Sequence, residues 1–157
     1  MKLTDSDKKI DVRDLSNLEN DLGMELPSDY KKFLLKNNGG YVSEFLCTPN
    51  FIEVDPVTKK EYLQSTNVDK FYSLAEIEEE ISDNKEDPVF SLDYVPFAYD
   101  SSGNIILLCA KKGEAYGNIF FANHELYDEN GFYVITKIYC SFNDFIQSLS
   151  SFEEFSD

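Results

Sequence analysis

The sequence predicts an α+β fold: a mostly antiparallel, twisted sheet, with a mixed sheet as the alternative, carrying helices near both termini and one mid-chain helix packed on it. Three observations predict it. The 157 residues match the roughly 100–200 expected of one domain, and no Pro-, Gly- or Ser-rich tract divides them. Apolar residues recur at helical spacing in four segments, two near the start, one in the middle and one near the end. Between the last two, β-branched and aromatic runs alternate with turn residues at the short intervals of a meander. With 42% hydrophobic residues, among them 13 Phe and 10 Tyr, the chain can fill a core without disulfides or metal. Residues 1–157 therefore read as one domain, with an acidic tail from about 151.

The first helix is expected over residues 12–22, with Leu15, Leu18 and Leu22 on one face and Gly23 where a left-handed residue ends a helix. Leu26 and Pro27 open the next element. Ser28 is its predicted cap; Tyr30, Phe33, Leu34 and Asn37 fall at helical spacing, Lys31, Lys32 and Lys36 face water, and Gly39 and Gly40 end it. Residues 41–72 turn β-branched and aromatic, which predicts a hairpin about the Asp55-Pro56 turn. Ser73 with Glu76 three positions later is a capping box; Leu74, Ile77 and Ile81 of that helix point inward, and Glu78, Glu79, Glu80 and Asp83 largely outward.

After Pro88, strands are expected over 95–99, 105–110 and 118–123. A turn containing Gly103 joins the first two, and a loop with Gly113 and Gly117 joins the second to the third. The run IILLCA lacks alternation, the pattern of a central strand buried on both faces. Residues 132–139 supply the next strand. Ser141 then caps a helix whose stripe is Phe142, Phe145, Ile146 and Leu149, leaving SSFEEFSD as a frayed acidic end.

Lys and Arg total 14 against 30 Asp and Glu, a net charge of -16. That field repels phosphate backbones and anionic lipid heads, which argues against nucleic acid and membrane surfaces as partners. It would speed encounter with a basic protein. Cys47, Cys109 and Cys140 are odd in number, widely spaced and set in apolar runs, as reduced core thiols are. No apolar leader opens the N-terminus, and the longest apolar run, 105–110, is far below the roughly 20 residues of a membrane span. A cytoplasmic location follows as the expectation.

Chemistry finds little footing. His124 is the only histidine, so a site with two histidine metal ligands cannot be built, and a catalytic triad would have to centre on it. In NHELYDE it reads as a surface or hydrogen-bonded histidine. No CxxC, HExxH, phosphate-binding glycine loop or DxDxDG spacing occurs, so no metal and no cofactor is expected. What stands out is the crowding of Glu76, Glu78, Glu79, Glu80, Asp83, Glu86 and Asp87 into twelve positions. As a patch it could occlude the basic cleft of a nucleic-acid-binding protein; as one solvated helix face it would serve solubility alone.

Residues 26–40, LPSDYKKFLLKNNGG, resemble the signature of the SUKH superfamily, the SMI/KNR group of cell-wall-regulator-like domains: Leu-Pro, an acidic residue and aromatic, a short amphipathic helix, and Asn-Gly-Gly. Residues 95–108, VPFAYDSSGNIILL, are similar to that family's strand, Gly-containing turn and strand, and GNIFFANHE and SFNDFIQSL extend the likeness over most of the chain. The resemblance implies that Leu26, Pro27, Tyr30, Phe33, Leu34, Gly39, Gly40, Gly103, Phe142 and Phe145 are structural. It also implies a non-enzymatic binding role, with bacterial relatives acting as immunity proteins that neutralise a cognate toxin, often a nuclease. The alternative it implies is an intracellular regulatory adaptor. The chain departs from the pattern in having no Trp, and residues 55–89 match nothing in it, so a partner-specific surface is expected there.

Overall fold

In chain order the elements are β1 (Leu3–Thr4), α1 (Val12–Leu22), α2 (Ser28–Lys36), β2 (Gly40–Val42), β3 (Leu46–Cys47), β4 (Phe51–Val54), β5 (Glu61–Gln64) and β6 (Lys70–Phe71). They continue with α3 (Leu74–Glu86), β7 (Tyr94–Tyr99), β8 (Ile105–Cys109), β9 (Ile119–Tyr127), β10 (Tyr133–Tyr139), α4 (Phe142–Ser148) and β11 (Ser150–Ser151). The computed structural model describes residues 1–151. Seven strands form one sheet in the order β1-β2-β6-β7-β8-β9-β10, and every ladder is antiparallel, which removes the mixed alternative. The last four are sequential neighbours, the meander read from the turn spacing.

Strand alternation divides the buried side chains into two clusters. Ile106 and Leu108 of β8, with Ile119 and Phe121 of β9, join the main core, while Leu107 and Ala122 pack with Phe90 in a second one. That is why IILLCA shows no polar positions: both faces of β8 are covered. In β7 the register slips between Pro96 and Ala98, so Phe97 is the extra residue of a bulge. It enters the main core among Tyr30, Phe71, Phe142 and Phe145, at ring separations of 5.5–6.4 Å. Signature residues of α2 and α4 thus meet through one aromatic cluster.

The helix ends show which local readings hold. Gly23 takes the left-handed conformation after α1, with φ +67°, as expected, and Asp11 with Asp14 forms a capping box at its start. Ser28 does not cap α2. Pro27, which has no side-chain acceptor, occupies the position before the helix, and Ser28 is already its first residue. Asp29 serves that end instead, its carboxylate accepting from Tyr30 N at 2.8 Å and from Asn143 N of α4 at 3.1 Å. Lys31 is not free in water; it pairs with Glu19 at 3.3 Å across α1 and α2.

Gly39 and Gly40 also need a corrected reason. The helix has ended at Lys36 with Asn37 extended. Gly39 is held at φ +74° against the start of α3, where an added Cβ would lie 2.5 Å from Ser73 N. Buried Asn38 beside it accepts from Leu74 N and donates to the Lys8 carbonyl, both at 2.8 Å. This segment therefore bolts the N-terminal arm, β2 and α3 together.

The hairpin expected in residues 41–72 is β4–β5, which pair only with each other among the described residues. Asp55 Oδ1 accepts from Val57 N and Thr58 N at its turn. Phe51 meets the Phe121 ring edge-on at 5.3 Å, and Glu53, 0% exposed, accepts from Asn123 Nδ2 and Gln64 Nε2 at 3.0 Å. The hairpin leaves and returns at adjacent points: Thr48 N donates to Thr66 O at 2.8 Å, and Thr66 N to Thr48 Oγ1 at 3.1 Å. The C-terminal end is less frayed than expected, since Ser150 and Ser151 pair with Cys47 and Leu46. Residues 152–157 lie outside the described residues.

Candidate protein-interaction surface

The capping box at Ser73 fixes where α3 begins. Ser73 Oγ accepts from Glu76 N at 3.2 Å, and Glu76 Oε1 accepts from Ser73 N at 3.1 Å. Ile77 and Ile81 are buried, as the periodicity requires, and α3 packs against β7. Asn84 is buried too and stops the chain from drifting: its Oδ1 accepts from Val89 N and Phe90 N, and its Nδ2 donates to the Phe90 carbonyl. Phe90 is thereby delivered to the second core cluster, and the last turns of α3 are drawn over β8 and β10.

The seven acidic residues do not form one equivalent set. Glu76 is committed internally, with Lys70 Nζ 2.8 Å from Oε2. Partial burial works against its charge, but the hydrogen bonds from Lys70 and from Ser73 N–H hold its carboxyl below the ordinary value. Glu78, Glu79, Asp83, Glu86 and Asp87 are exposed. None of these five, nor half-buried Glu80, makes an ion pair among the described residues.

Glu80, Asp83 and Asp87 converge on a cleft of about 230 Å³ with Asn84, Val89, Phe90, Ile105 and Tyr133. Burial raises the Glu80 carboxyl, and Asp83, Glu79 and Glu76 raise it further. A raised carboxyl stabilises the fold fully below the unfolded value and loses that stabilisation as pH rises through the folded one. At neutral pH, ionised Glu80 is therefore a cost that a cation placed in the cleft would relieve. Glu80→Gln is expected to raise stability at pH 7 by about 0.2–0.5 kcal/mol for each like-charge neighbour relieved. Below pH 4 its melting temperature should match that of the parent; a gap of the same size at both pH values would refute the electrostatic account.

A second groove runs between α1 and α3, lined by Leu18, Asp21, Leu22, Glu78, Ile81, Ser82 and Lys85. It extends the exposed acidic face across the helix pair. Phe90, Ile105 and Tyr133 of the cleft were not singled out from the sequence, because β8, β10 and the segment after α3 meet only through the sheet. The one local signal was Asn84, a polar residue at an inward helical position.

His124 lies within β9, which runs on to Tyr127, four residues past the expected end, because Tyr127 pairs with Tyr133. Its Nδ1 is 2.7 Å from Asn104 Oδ1, which also accepts from His124 N, so Nδ1 is the donor. Asn104 in turn donates to buried Asp100, which also accepts from Thr66 Oγ1, Ser102 N and Asn104 N. This network organises the turn in which Gly103 lies against the imidazole. Cys109 is buried, but Cys47 is half-buried and Cys140 exposed, so only one thiol is the core thiol expected. Among the described residues, no three His, Cys, Asp or Glu side chains gather as a metal site, and no helix is long and apolar enough to cross a membrane.

Five of the signature residues lie in the core and a sixth packs against it. Leu26, Tyr30, Leu34, Phe142 and Phe145 are buried, and Phe33 packs on Phe71 at 4.7 Å. Residues 9–148 match the SMI1 / KNR4 family (SUKH-1). The chain is also 32% identical, over 147 aligned residues, to the SPbeta prophage-derived uncharacterized protein YokK of Bacillus subtilis (strain 168); the alignment covers 86% of this chain and 72% of that protein. The match embraces all four helices and all seven strands of the main sheet except β1, and the chain belongs to the SMI1/KNR4 (SUKH-1) family.

Proposed function

We propose that the protein is an immunity protein, which neutralises a cognate toxin in the cytoplasm by stoichiometric binding and without catalysing a reaction. Family membership supports a binding role, and the prophage origin in the relative's name fits a gene carried with a weapon. The observation that carries the reading is the α3 surface: carboxylates without internal cations beside a cleft floored by Phe90, Ile105 and Tyr133. Desolvated apolar centre and charged rim are the two parts of a protein interface, here of the sign suited to a basic toxin such as a nuclease. A complex of ordinary size would bury roughly 1,200–2,000 Å².

Co-expression with the product of the adjoining gene should rescue growth, and the two chains should purify as a one-to-one complex. Failure to form any complex with that product would remove the reading. The Glu78→Lys, Glu79→Lys, Asp83→Lys triple variant spares the Glu76–Lys70 pair. It is expected to slow association about tenfold or more at low salt and to flatten its salt dependence. Stopped-flow rates that match the parent at every ionic strength would place the interface elsewhere.

A further inference from the structure

The β4–β5 hairpin packs Phe51 and a buried carboxylate on one face and leaves a row of aliphatic side chains exposed on the other. Antiparallel register puts Ile52 opposite Leu63 and Val54 opposite Glu61 on one face, and Phe51 opposite Gln64 and Glu53 opposite Tyr62 on the other. The face turned to the fold carries the carboxylate, which is fully buried and bonded to Asn123 and Gln64. The face turned away carries the aliphatics: Ile52 is 50% exposed, Val54 44% and Leu63 67%, with Val57 at 70% in the turn. A slip of one residue would bury these side chains and expose Glu53 together with Phe51, which packs on Phe121. The observed register is held by three side-chain hydrogen bonds to Glu53 and by Phe51 against Phe121, and it leaves the aliphatics facing out.

We infer that this aliphatic face is an anchor for the same partner, a basic protein presenting a shallow apolar recess ringed by Lys or Arg; the inference rests on the proposed immunity role. Charge selects this occupant over a second copy. Each copy carries a net charge of -16, and the hairpin itself offers little to offset it, since Lys59 and Lys60 are balanced by Asp55 and Glu61. Two such chains repel, whereas a basic chain is drawn in and then meets apolar side chains that desolvate well. The two surfaces divide the work: the carboxylates of α3 set the rate of encounter, and the hairpin sets how long the complex lasts.

The test is calorimetry and stopped-flow kinetics on the Ile52→Ser, Leu63→Ser double variant, and each single variant, against a catalytically inactivated form of the adjoining gene's product. Serine leaves the long-range field unchanged. Both positions are at least half exposed, so thermal melting should stay close to the parent, and the singles stand in if the double variant unfolds. The expected result is binding about 30-fold weaker or more, carried by faster dissociation, with association unaltered. Parent-like affinity in the folded variants would overturn the inference while the immunity reading stood. A parent that sediments as a dimer, made monomeric by the substitutions, would overturn it in favour of a second copy. A parent that does not bind the product at all removes both.

Discussion

Phe97→Ala should destabilise the protein by about 3–5 kcal/mol, the cost of deleting a buried phenylalanine. For a chain of this size that is a fall of roughly 6–20 °C in melting temperature. The side chain is fully buried and lies against the rings of Tyr30, Phe71, Phe142 and Phe145. It joins α2, β6 and α4 at the bulge of β7, so the gap would open between three elements at once. Urea denaturation should show the midpoint reduced with the slope unchanged. A loss below about 1.5 kcal/mol would mean that the cluster collapses around the gap.

Gly39→Ala should be comparably severe for a different reason. The left-handed conformation alone costs a non-glycine residue about 1–2 kcal/mol. The new methyl would also sit 2.5 Å from Ser73 N, 2.8 Å from Ser73 Cα and 2.9 Å from Phe71 O, all backbone atoms that cannot swing aside. Adding about 1–3 kcal/mol for overpacking gives about 2–5 kcal/mol in total, a large share of an ordinary domain's ~5–15 kcal/mol. Gly23→Ala is the control: φ is +67° but nothing lies within 4 Å of the added carbon, so only the conformational cost remains. Equal melting temperatures for the two variants would show that the contact with Ser73 yields easily.

That pair of glycines marks the border of what the sequence discloses. Gly23 is legible because its reason is local, the end of a periodic helix. Gly39 is flagged by the same residue type, yet its reason lies thirty-four positions away at Ser73 and could not be read from spacing. Local codes served well elsewhere: the capping box at Ser73, the unalternating β8, and the Asp55 turn all appear where pattern places them. Ser28 misled because Pro27 had already taken the capping position. The strand through His124 was cut short because its polar residues suggest a loop, and only pairing with β10 keeps it extended.

The acidic cluster shows the same divide. Its position on α3 was legible, but not the division of labour within it: Glu76 is claimed by Lys70, and Glu80 is crowded into a cleft by residues from β8 and β10. In the hairpin, FIEV and EYLQ alternate and so define two faces, without saying which turns inward. Asn123 decides that, seventy positions from Glu53.

Thr48 and Thr66, joined by two hydrogen bonds, make residues 49–65 an excursion that departs from and rejoins the fold at a single point. Doubling the length of such a closed loop adds only about 0.6 kcal/mol of closure entropy. Phe51 and Glu53, held on Phe121 and Asn123 of β9, tie the inner face of the excursion to the sheet, but its turn and its outward positions can change without the strands of the main sheet lengthening or shifting. On the anchor role inferred for the hairpin, the aliphatic contacts to a partner sit on positions that the main core does not use, and they can be rewritten while the framework is inherited intact.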